Sequence, residues 1–106
     1  MKENINDSIL GKYVIVRTRY AGVFCGYLEE KKGCEVILKD ARRMWRWWAK
    51  KSISLSGCAL YGIKQDKSKI CSPVKALWSE AAEIIPVTDV SKESLLNCPE
   101  AEQEII

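Results

Sequence analysis

Between Tyr13 and Trp48 the chain is a succession of β-type runs separated by turn signals, and this stretch sets the fold class. The first run, Tyr13-Val14-Ile15-Val16-Arg17-Thr18-Arg19-Tyr20, is β-branched and aromatic, the make-up that suits a pleated, partly buried surface. Ala21-Gly22 reads as a tight turn, with Gly22 able to take positive φ. Val23 to Glu29 is the return strand, and Gly26 in its middle marks a bulge or bend. Glu30-Lys31-Lys32-Gly33 turns the chain into Cys34–Lys39. Asp40-Ala41 reads as a break, after which Arg42 to Trp48 alternates basic and aromatic residues as a fourth strand. Four strands joined by tight turns form a meander, the start of a barrel or a strongly bent antiparallel sheet.

Beyond Trp48 the pattern changes. From Ala49 to Ile63 a weak helical face appears (Ile53, Leu55, Cys58, Ala59 and Tyr61), with Ser52 as N-cap and Gly62 near the end. Lys64 to Lys69 reads as a polar loop, and Val74–Trp78 and Ala82–Thr88 as two short strands, Pro86 placing the second at an edge or at its end. A chain of 106 residues accommodates one domain. The expected class is mainly β (α+β), with one inserted short helix near residues 50–63 in a domain spanning 9–90. Residues 91–106 are expected to form an acidic C-terminal tail, helical or disordered. From Met1 to Ser79 there are 16 basic against 7 acidic residues, and from Glu80 to Ile106 one against 7. The basic body invites an anionic partner, and the acidic end is either solvated or a mask for that surface.

Histidine is absent, which removes imidazole-based catalytic triads and His-ligated zinc. The five cysteines, Cys25, Cys34, Cys58, Cys71 and Cys98, include no C-x-x-C pair. They read as reduced thiols packed as small apolar residues in a cytoplasmic protein. No metal and no cofactor is expected. No run of apolar residues is long enough to span a membrane, and Met1-Lys2-Glu3-Asn4 leads into no apolar stretch, so no signal peptide is expected.

The sharpest local feature is Ala41 to Lys51, with three of the four tryptophans and five cations. From Ala41 to Gln65 there is no acid to neutralise them. Strand alternation would put Arg42, Met44, Arg46 and Trp48 on one face and Arg43, Trp45 and Trp47 on the other. Guanidinium groups offer paired donors to phosphate, and an indole face stacks on a base. In that reading Arg42, Arg43 and Arg46 hold phosphate, Trp45, Trp47 or Trp48 stacks on a base, and Lys50 adds charge. The competing reading makes the tryptophans core residues of a small barrel, covered by arginine stems. Arg17, Arg19 and Tyr20, beside the Gly22 turn, are a second candidate group, with two solvated arginines as the alternative. Lys64, Lys67 and Lys69 read as a solvated loop. Nothing supplies a phosphate-cradling glycine loop or a catalytic constellation, so no enzymatic activity is expected.

Two resemblances follow from these residues. Val14-x-Val16, the Gly22 turn, Phe24-x-Gly26-x-Leu28 and Val36-x-Leu38-x-Asp40-Ala41 resemble the first half of an Sm-type barrel, with Glu83-Ile84-Ile85-Pro86-Val87 standing where its closing strands lie. That resemblance implies a small bent Sm/SH3-like barrel, edge-to-edge assembly into a ring, and RNA binding. Over Gly11 to Thr88 the chain is also similar to a family of small, mostly phage-encoded proteins of unassigned function. The residues that carry this are Gly11-Lys12-Tyr13-Val14-x-Val16-Arg17-Thr18, Ala21-Gly22-Val23-Phe24-x-Gly26, Ala41-Arg42-Arg43-x-Trp45-x-Trp47 and Glu83-Ile84-Ile85-Pro86-Val87-Thr88. This chain departs from the family's small-residue stretch at Trp48-Ala49-Lys50-Lys51 and is more basic there. The phage resemblance implies an oligomeric anti-defence protein in the cytoplasm of a bacterial host. Its ligand would be a nucleotide-type anion, a cyclic oligonucleotide or an ADP-ribose-derived immune signal. Two alternatives stand beside it: a single-stranded RNA or DNA binder, and a protein–protein inhibitor docking on a host defence or CRISPR protein.

Overall fold

Both faces of the strand Tyr13–Thr18 (β1) are covered, which is why its sequence is a near-continuous apolar run. Val14 and Val16 point into one core with Phe24, Leu28, Val36, Leu38, Ala41 and Ala81. Tyr13 and Ile15 point into a second core with Cys25, Met44, Leu55, Cys58, Ile63 and Leu95. The computed structural model describes residues 8–103. In it β1 is followed by β2 (Val23–Lys32), β3 (Glu35–Arg46), α1 (Ser54–Tyr61), β4 (Lys69–Ile70), β5 (Val74–Pro86) and α2 (Asp89–Leu96).

The strands are antiparallel and ordered β2-β1-β5-β3-β4, and β2 also pairs with β3, so four of them close a ring. The first core fills that ring. The second lies outside it, where α1, α2 and the segment between them cover the outer face of β1 and β3. The mainly β class expected from the sequence is therefore the observed one.

Several element boundaries differ from the sequence reading. Asp40 does not end a strand: it sits inside β3 with φ 52°, a left-handed geometry that aspartate tolerates. Gly26 lies across from this bend, at a register shift between Cys25 and Tyr27. A Cβ on Gly26 would stand 3.0 Å from the Lys39 carbonyl oxygen and 3.1 Å from the Ala41 Cα. Two strands kink at one place, and the sheet curls there. The strand ends at Arg46, so the expected alternation does not continue to Trp48. Helix α1 starts at Ser54, with Ile53 rather than Ser52 at its N-cap. Residues Val74–Pro86 form one long strand that changes partner, from β3 to β1, where two short strands were expected.

The C-terminal segment is also not a free tail. Ser91, Leu95 and Cys98 are buried, and Ile70 forms a parallel bridge with Glu100. Of the expected tail, residues 104–106 lie outside the described residues. Among the described residues no helix is long and apolar enough to cross a membrane.

Candidate functional site

Past the Asp40 bend, neighbouring side chains of β3 enter different environments. Arg42, on the side of the outer core, is only 4% exposed. Its Nε donates to the Cys71 carbonyl (2.8 Å), Nη1 to that of Leu95 (2.8 Å) and Nη2 to that of Ile70 (3.3 Å). Leu95 lies in the last turn of α2, where the unpaired carbonyls carry partial negative charge. Arg42 was expected to hold phosphate. Instead, its burial and its carbonyl partners make it a clamp between β3, the strand β4 and α2.

Arg43 faces the other way. Its guanidinium carbon stands 4.4 Å from the centroid of the Phe24 ring, and Nη1 donates to the Ala21 carbonyl. It therefore closes one end of the barrel and fastens the Thr18–Gly22 turn, which Thr18 also secures by donating to the Gly22 carbonyl (2.7 Å). On that turn Arg19 and Tyr20 are exposed. Arg17 is paired at 3.5 Å with Glu83 on β5, both well exposed. The structure thus brings the second candidate group next to Arg43, with Arg17 already matched by an acid.

Trp45 is the open residue, 73% exposed. It lines a groove of about 560 Å³ with Arg46, Lys69 and Cys71 on one side and Glu102 and Gln103 on the other. The Ala101 N–H donates to the Ile70 carbonyl (2.8 Å), which fixes the C-terminal wall. Arg46 and Lys69 are direct cross-strand partners in the β3–β4 ladder. Like charges opposite one another in a ladder destabilise it, and no carboxylate of the described residues is within ion-pairing distance of either.

The remaining candidates divide. Trp47 is half-buried against the outer core, as the packing alternative expected. Trp48 is exposed, with the Lys67 Nζ 5.4 Å from its ring centroid and its backbone N–H donating to Ser68 Oγ (3.2 Å). Lys50 is exposed but lines a separate shallow recess beside Tyr61 and Ser94. Lys69, read as part of a solvated loop, is the site residue that the sequence did not reveal. Only its two-residue pairing with β3 places it opposite Arg46.

Burial pushes the Cys25 and Cys58 thiols up to about 11 and raises that of Cys98. All five cysteines are free, and these three stay protonated at neutral pH, the inert form.

A family model described as a domain of unknown function (DUF6948) matches residues 11–95, from the end of the first turn through the last turn of α2. No curated protein and no solved structure matches the chain.

Proposed function

The chain belongs to that family, and we propose that it is a non-catalytic module whose Trp45 surface binds a nucleotide-type anion, with single-stranded nucleic acid as the guest. The observation that carries this reading is the Arg46–Lys69 pair beside an exposed indole. A phosphate seated between the two cations converts their repulsion into two charge-assisted contacts. The Trp45 ring then offers its face to the attached base, a contact of about 1–3 kcal/mol per base. Trp48, exposed three residues further on, is a second stacking face. Histidine is absent, so no imidazole base is at hand, and the buried thiols of Cys25, Cys58 and Cys98 are held protonated.

A second reading is supported by the groove's size, since about 560 Å³ falls in the range of small-molecule sites. There the guest is a cyclic oligonucleotide or an ADP-ribose-derived signal. The resemblance to phage-encoded proteins then supports an anti-defence role by sequestration.

Fluorescence anisotropy of a labelled oligothymidylate, titrated over a salt series, tests the first reading against the second. A polymer guest gives affinity that falls steeply with salt, and Trp45→Ala weakens it about tenfold or more. A cyclic dinucleotide that raises the melting temperature with little salt dependence favours the second reading. Failure of the folded protein to bind either probe at low salt overturns both.

A further inference from the structure

The long strand β5 has a bare edge. Residues 74–80 pair with β3 alone and residues 81–86 with β1. The Ala81 N–H donates to the carbonyl of Cys34, the turn residue just before β3 (2.7 Å), while the Glu80 carbonyl accepts from the Arg19 N–H on the opposite side (3.0 Å). The register between β3 and β5 runs without a shift from Glu80 to Val74. Alternation therefore turns the N–H and C=O groups of Ala76 and Trp78 outward, away from β3 and toward no other strand of the described residues.

That edge is also apolar. Val74 (47% exposed), Ala76 and Trp78 (58% exposed) share one face, and Lys75 is the only cation among them. Exposed edges are normally blunted by charge. The half-paired edge of β2 is protected in that way: Glu30, Lys31 and Lys32 pair with β3 on one side only, and Glu29 stands beside them at a register shift.

We propose that a second copy of this chain pairs with the Val74–Glu80 edge, antiparallel and about a two-fold axis at Leu77. Self-complementarity selects that occupant. A two-fold contact requires each patch to fit itself, and an axis at Leu77 sets Trp78 of each copy opposite the small Ala76 of the other. The outward groups of Ala76 and Trp78 then form hydrogen-bonded pairs, and each bulky indole meets a position with room for it. This contact closes at two copies, unlike a ring. It uses none of the residues of the Trp45 groove, so it stands or falls separately from the ligand reading.

Sedimentation equilibrium over a concentration series provides the test, with two exposed substitutions chosen to suit their own chain. Ala76→Glu puts a carboxylate beside Lys39, its cross-strand neighbour on β3. Trp78→Lys puts an ammonium beside Glu35, which now accepts the indole N–H at 3.1 Å. The wild-type chain is expected at twice its mass of 12.0 kDa. Trp78→Lys is expected to weaken association at least tenfold while melting as a folded protein. The double variant A76E/W78K sets opposite charges face to face twice across the axis and is expected to recover the dimer. A wild-type chain that stays single at every concentration, an assembly larger than two, or a Trp78→Lys protein that still dimerises as tightly overturns the proposal.

Discussion

Arg42 and Arg43 are chain neighbours with opposite tasks, and a charge count cannot separate them. Arg42 satisfies three carbonyl oxygens within the fold, at Cys71, Leu95 and Ile70. Arg43 spreads over Phe24 and holds a turn. Removing a buried charged donor leaves its acceptors unsatisfied and costs about 3–5 kcal/mol. Arg42→Ala is therefore expected to lose about that much stability in urea denaturation. Arg42→Lys should not recover it, because one ammonium cannot span carbonyls from three segments. A loss below about 1 kcal/mol would return Arg42 to the list of surface cations. Of the three arginines between Ala41 and Lys51, Arg46, exposed and opposite Lys69, is the one the fold does not use in these ways.

At the scale of elements, α2 holds the outer layer in place. Thr88 caps it by accepting from the Ser91 N–H (3.1 Å) and also donates to the Leu60 carbonyl of α1 (2.8 Å). Thr88→Ala is expected to cost about 1–2 kcal/mol, read as a melting temperature lower by about 4–8 °C per kcal/mol. Thr88→Ser should largely restore it, and an unchanged melting temperature in the alanine variant would contradict the role. The strands were legible wherever the period-two pattern and a glycine turn agreed, as at Val23–Glu29 and Gly22. They were misread where a local signal had a tertiary purpose. Asp40 looks like a terminator because its left-handed backbone is a turn geometry, yet here it bends one strand opposite Gly26. Helix α2 carried little apolar periodicity, so its docking through Ser91 and Leu95 was hidden. Trp47 and Trp45 have the same type and parity in the sequence. Only the end of β3 at Arg46 sends one toward the core and leaves the other outside.

For the whole molecule, the division between a basic body and an acidic end becomes spatial. The C-terminal segment runs beside β4 and brings Glu102 to the wall of the groove that holds Trp45, Arg46 and Lys69. The expected tail is thus part of the surface that a guest must approach, and residues 98–103 belong to the domain. The proposed binding of a guest at this surface rests on its indole and its paired cations facing solvent, with no acid of the described residues in ion-pairing range. The four tryptophans supply their own reporters. In a ¹⁵N-labelled sample titrated with oligothymidylate, the indole N–H resonances of Trp45 and Trp48 are expected to move. That of Trp78, whose N–H is held by Glu35, and that of half-buried Trp47 should stay in place. A Trp45 resonance that remains fixed at an excess of the oligonucleotide contradicts the account.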